Sequence, residues 1–395
     1  MIRRHLLALP WLWPLARPAR ARDGATCRGT GDLGLVVERA HGSVLRFETS
    51  TPSVLGRVEG LGDLSHAAAV FSRDQRYAFL FGRDGGLTKL DLLTGEVVAR
   101  IVQAGNAIGG AISGDGTLVA VANYDPGGVR VFAAADLAPV ADIPAGTADG
   151  GRSRVVGLED WGPRHFAYAL LDGDEIRLLD LTDPARPYQR RFPGIGRMPY
   201  DALVTPDGRY YVVGLFGEDG LVLLDLWAEE PRPRRILAGY GRGERPLPVY
   251  KMPHLEGWAQ AGDLLFLPAV GRFELLVVDR RDDFREVARI PVHGQPVFAV
   301  ARPDGRQVWV NFAHPRNDVV QVIDVPRLAV VAELRPGRAV MHLEFTPRGD
   351  QVWISARDSD RVVVYDTARL SQIKAFEART PSGIFTSARA ARIGF

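Results

Sequence analysis

Cysteine is almost missing. Cys27 is the only one in 395 residues, so no internal disulfide can form and stability must come from packing. Charge of one sign is scarce as well: 49 Lys and Arg face 47 Asp and Glu, interspersed, for a net charge of +2. Such a chain has no basic field to neutralise a row of phosphates, and no nucleic-acid partner is expected. Long apolar runs are lacking too. The run from Leu6 to Ala16 is broken by Pro10 and Pro14 and is too short to span a bilayer, so no transmembrane span is expected. No segment sustains the amphipathic period of a helix. Nor is there a G-x-S-x-G elbow, an H-E-x-x-H helix, a Walker loop or a C-x-x-C-H attachment for covalent haem.

What is present is turn chemistry. The 43 glycines and 27 prolines are spread over the whole length, as many tight turns between short elements require. At the N-terminus, Arg3-Arg4, the short apolar run and Ala19-Arg20-Ala21 read as an export signal over residues 1–21, of general secretory or twin-arginine type. The expected location is the periplasm. A lipoprotein reading of Cys27 fits poorly, because Gly24 stands where an apolar residue is needed.

A unit recurs along the rest. An apolar strand meets a Ser/Thr/Pro-x-Asp-Gly turn and a second apolar strand, then a polar loop, a strand ending near Asp and a last strand leading to Gly. The turns fall near Ser72, Ser113, Asp160, Thr205, Ala259, Arg302 and Thr346, with steps of 41, 47, 45, 54, 43 and 44 residues. That is the period of a four-stranded propeller blade. Leu35–Glu38, Val44–Phe47 and Val54–Val58 supply three strands lacking a first one, and Gly383–Ser387 supplies a first strand lacking its blade. Joined, they close the ring and remove exposed sheet edges. The expected fold is all-β: one eight-bladed β-propeller over residues 22–395, its last blade closed by N- and C-terminal strands.

The phrase CRGTGDLG at Cys27–Gly34 spells G-x-G-x-x-G. A dinucleotide fingerprint needs a strand before it, a helix after it and a βαβ unit around it. Here a β-branched strand follows, so the phrase reads as an entry loop, and no NAD is expected.

In a propeller, the loops joining strands 2 and 3 of each blade share one face with the loops joining successive blades, and function usually sits on such loops. Read off the repeat, this face carries Arg39, His41, Arg83, Asp84, Asp125, Glu218, Asp219, His314, Arg316 and Arg357 within blades. Between blades it carries His66, Arg152, Arg154, Arg197, Lys251, His254, His293, Arg338 and Arg379. The opposite face receives mainly Asp-Gly turns, whose acids are turn formers. His and Arg without Cys suit an anionic ligand that carries a metal. His342, in VMHLEF, alternates into the channel. Arg152, Arg197 and Arg338 are candidates to hold carboxylates bidentately.

The phrases RGTGDLGLVVER, NYDPGGV, PYDALVTPDGRYYVVGLFGEDGLVLLDLW, LPVYKMPHLEGW, GQPVFAVARPDGRQVWVNFAHP and HLEFTPRGDQVWIS resemble the NirF family of haem d1 biosynthesis. That family resembles the haem-d1 propeller of cytochrome cd1 nitrite reductase. The resemblance implies eight blades, a tetrapyrrole seat over the central channel, and haem d1 or a late precursor as ligand or substrate, in the service of denitrification. It implies either a dehydrogenase acting on the tetrapyrrole or a non-catalytic carrier handing it to a partner enzyme. Implied partners are other haem d1 assembly proteins, a c-type cytochrome or nitrite reductase, with homodimerisation left open. The family's aspartate corresponds to Asp125, as general base or orienter, and the histidine of ERAHGS to His41, as iron ligand or proton acceptor. His254 and His342 are the alternates, and His314 joins the set that contacts the ligand. Phe273 and Ala391 stand where histidines would be expected, so neither position is an obligatory ligand.

Overall fold

The computed structural model describes residues 29–240, 257–269 and 271–391. Among these, 32 strands, numbered β1–β32 in chain order, form eight antiparallel four-stranded sheets. No helix of the described residues is long and apolar enough to cross a membrane. Seven sheets are built from consecutive strands. The eighth joins β1 (Leu33–Glu38), β2 (Ser43–Glu48) and β3 (Ser53–Val58) to β32 (Pro381–Thr386), as the split terminal pieces of the sequence require.

The closing pair is tight. Leu35 faces Phe385 and Val36 faces Ile384 across the β1–β32 ladder. Gly34 has no room for a Cβ, which would run into the Phe47 ring and the Phe385 carbonyl. The last glycine of CRGTGDLG is therefore a packing residue in a strand, preceded by a single tight turn over Thr30–Asp32. Phe47 stacks on Trp353 with ring centroids 4.2 Å apart, tying the closing blade to the one before it. Both rings are fully buried, the kind of large apolar contact that holds neighbouring sheets face to face.

The sheets pack through apolar faces, and strand position sets composition. Second and third strands are buried on both sides and read as apolar runs, such as Tyr210–Leu215 and Glu274–Asp279. Fourth strands lie outermost and are largely exposed, as in Ser371–Glu377. First strands line the axis, where eight backbones converge, and β8 (Asn106–Ile112) accordingly reads NAIGGAI.

Turn acids behave as expected. Asp74, Asp115 and Asp207 accept from the hydroxyls of Ser72, Ser113 and Thr205 two residues earlier. Two expected turn positions move. β12 (Val155–Gly162) continues through Asp160, so its turn lies at Pro163-Arg164, and β20 (Ala259–Ala261) places its turn at Gly262-Asp263. Neither turn carries the Asp-Gly signal, which is why spacing alone misplaced them.

Candidate functional site

First strands enter from the face that carries the inter-blade loops. Near that end, most carry a bulge that breaks the alternation of side chains. In β16 (Pro199–Val204), Pro199 pairs with Leu215 and Ala202 with Val213, so Tyr200 and Asp201 together oppose a single residue. β8, β12, β24 (Pro296–Ala301), β28 (Val340–Phe345) and β32 shift register in the same way. Among the residues at these shifts, Ile108, Gly157, Tyr200, Asp201, Phe298 and Met341 line one axial cavity of about 230 Å³. Bulges re-aim side chains. Here they aim them at the axis.

Beyond the cavity, the C-terminal turn Ser387–Ala391 packs into the channel beside the first strands. The Arg389 guanidinium donates to both Glu344 carboxylate oxygens at 2.9 and 2.8 Å, and Glu344 also accepts from Thr386. Arg73 donates to the Ala390 carbonyl and pairs with the buried Asp160 at 3.3 Å.

The wall has two characters. On one side, His342 packs between Phe298 and Phe385, with ring centroids 5.4 and 5.6 Å away. Its Nδ1 accepts the Ile384 amide at 3.3 Å, which puts the proton of the neutral ring on Nε2. Burial, with the Arg389 charge adding to it and Glu344 opposing, lowers this imidazole to about 4. His342 is therefore neutral near pH 7. On the other side, the hydroxyls of Tyr124 and Tyr200 are hydrogen-bonded to each other. Burial is the main cause that raises both phenols above the usual tyrosine range, so both stay protonated. Arg83 and Arg154 lie over the Tyr124 ring at 5.6 and 5.7 Å, and Asp172 holds Arg154 through both carboxylate oxygens. Arg39, Ser65 and His66 complete the lining. Burial and the nearby Arg357 pull the Arg39 pKa down, yet a guanidinium stays charged.

Of the residues singled out from sequence, His342, Arg39 and His66 line the well. His41 is exposed on the loop after β1, two positions from Arg39 and outside the lining. Asp125 ends the strand Leu118–Asp125 beside Tyr124, exposed, with its carboxylate against Gly105. Arg152, Arg197 and Arg338 are exposed on the same face and outside the lining, and Arg338 donates to the Asp358 carbonyl. His314 is exposed in the loop after Gln307–Phe312. His254 lies outside the described residues. Sequence reading missed Tyr124, Tyr200, Asp201, Phe298 and Phe385. Asp201 left one signal, a carboxylate at the start of an otherwise apolar first strand.

The chain is thus an eight-bladed propeller with an axial well walled by aromatic rings, phenols and a neutral histidine. The cytochrome D1 heme domain family matches over residues 28–390. The Protein NirF of Stutzerimonas stutzeri is 59% identical over 93% of this chain and 94% of its own length. The dihydro-heme d1 dehydrogenase of Pseudomonas aeruginosa is 30% identical over 80% of this chain and 64% of its own. A solved structure of dihydro-heme d1 dehydrogenase NirN in complex with DHE superposes with a TM-score of 0.80 at 27% identity, covering 95% of this chain and 78% of that one. The chain belongs to the cytochrome D1 heme domain family and, within it, to the NirF proteins.

Proposed function

We propose that this protein holds haem d1 or a late tetrapyrrole precursor in the axial well and hands it to a partner enzyme in the periplasm. The observation that carries this reading is the axial well itself, with aromatic rings, phenols and a neutral histidine around it. The chemistry of its lining suits a flat macrocycle. A Cβ on Gly109 would meet nothing nearer than the Ala68 methyl at 3.8 Å, so this glycine keeps space open. Phe298 and Phe385 offer apolar contact, and Arg39 offers charge to a carboxylate. His41 and Asp125 stand at the mouth, and from there remain the candidates for iron ligand and proton acceptor.

Holding is better supported than chemistry. Dehydrogenation needs a proton acceptor matched to the working pH, and the imidazole inside the well, at about 4, is a weak base near neutrality. A dehydrogenase reading draws on the 30% identity to the Pseudomonas aeruginosa enzyme. Incubation with a dihydro-haem d1 precursor and an electron acceptor separates the two. A carrier gives a bound absorbance spectrum and returns pigment of unchanged mass, whereas pigment lighter by two hydrogens would establish the dehydrogenase. A protein that gives no spectral change on titration would refute both.

A further inference from the structure

Three successive blades converge on one phenol. Tyr124, near the end of its strand, receives Arg83 from the blade before it and Arg154 from the loop leading to the blade after it, both over its ring. The two cations are held differently. Asp172 fixes Arg154, through the 3.0 and 2.5 Å contacts of its guanidinium. Arg83 is anchored only through its backbone, whose N–H donates to the Asp63 carbonyl at 2.7 Å, and its guanidinium has no carboxylate in ion-pair contact among the described residues. Asp63 stays close enough to Arg83 and Arg39 to feel both charges, but its own carboxylate is hydrogen-bonded to Ser65. Tyr124 and Tyr200 share a hydrogen bond, which uses one of their two O–H groups. Asp201, whose charge acts on both phenols, lies on the Tyr200 side and repels anions from that wall.

A guanidinium without a carboxylate partner, lying over a phenol and with a second cation fixed behind them, is a site for an anionic oxygen pair. We infer that Arg83 and Tyr124 bind a carboxylate arm of the tetrapyrrole and so set which edge of the macrocycle faces these blades. This rests on the reading of the well as a tetrapyrrole seat. It moves carboxylate recognition from Arg152, Arg197 and Arg338 to Tyr124, which lines the cavity, and to Arg83, which lies outside the lining but over the Tyr124 ring.

The test compares haemin with its dimethyl ester, followed by absorbance titration on the full chain. Wild type should prefer the free acid by more than about tenfold, the scale of a charged hydrogen bond. Arg83→Gln should lower haemin affinity about tenfold and leave the ester unchanged, with Tyr124→Phe showing a smaller loss of the same selectivity. Arg152→Gln should change neither. Equal weakening of acid and ester in Arg83→Gln and in Tyr124→Phe would overturn the inference, as would a wild type that holds the two alike, while leaving the seat intact. If neither compound binds wild type, the seat reading itself falls and takes the inference with it.

Discussion

The two faces of the ring spend their charge differently. On the closed face, arginines are matched to carboxylates: Arg76 to Asp91 at 2.7 Å, Arg164 to Asp115 and Arg209 to Asp225 at 2.8 Å, and Arg280 to Asp207. On the open face, Arg154, Arg357 and Arg379 are paired, and Asp84 and Glu218 pair with Arg100 and Arg235, but Arg39, Arg83, Arg152, Arg197, Arg316 and Arg338 have no ion-pair partner among the described residues. The contrast is one of degree, since the exposed Arg306 of the closed face has no ion-pair partner among the described residues either, but the open face keeps more unpaired donors, as a ligand-binding face built on rigid blades would.

The largest test of this contrast is at the C-terminal turn. Glu344 is buried at 2% exposure, and Glu344→Gln would leave the Arg389 guanidinium without its counter-charge. Breaking such a buried pair costs about 3–5 kcal/mol, so urea unfolding should shift strongly. A variant as stable as wild type would mean that the closed face does not hold the ring together.

The next effect is smaller and depends on pH. Folded His342 takes up its proton only near pH 4, against an ordinary value of 6.5 for an unfolded histidine. Between these values the unfolded chain binds more protons, so stability falls as pH drops from 6.5 and the loss is complete below about 4. The full loss is up to about 3 kcal/mol. His342→Gln should flatten the slope of stability between pH 6.5 and 5, above the range in which carboxylates titrate. An unchanged slope would show that the well is wet enough to solvate the imidazolium.

Two adjacent glycines sharpen the comparison within one strand. A Cβ on Gly110 would strike the Ala120 carbonyl and the Phe81 ring, whereas one on Gly109 would stand free in the well. Gly110→Ala should therefore cost about 1–3 kcal/mol of stability, as overpacking does. Gly109→Val should leave stability nearly unchanged and weaken tetrapyrrole binding at least about tenfold, because its methyls occupy ligand volume. If the two variants behaved alike, the well would not be the seat.

These residues also mark how far the sequence could be read. Blade count and ring closure were legible because Ser72-x-Asp74, Ser113-x-Asp115 and Thr205-x-Asp207 turns are local and each announces its own hairpin. The same repeat marked the face that carries the inter-blade loops, and Arg39 and His66 from that face, with His342 from strand alternation, line the axial cavity. Tyr200 and Asp201 were not legible. A bulge makes two neighbours oppose one residue, and period-2 reasoning assigns one of them to the wrong side. Tyr124 was hidden for a different reason: its role comes from Arg83 and Arg154, 41 and 30 positions away in the chain and on other blades.

The smallest expected effect is on the open rim. Arg152, Arg197 and Arg338 are exposed and make no carboxylate pair among the described residues. Replacing all three by Gln should move the melting temperature by less than about 2 °C, since solvated charges add little to stability. Haemin affinity should stay within about threefold if these side chains lie beyond the ligand. A fall of tenfold or more would restore them as carboxylate clamps and would place the macrocycle higher, across the mouth rather than in the well. The melting temperature separates that outcome from simple damage, because a clamp lost from a solvated rim weakens binding without loosening the blades beneath it.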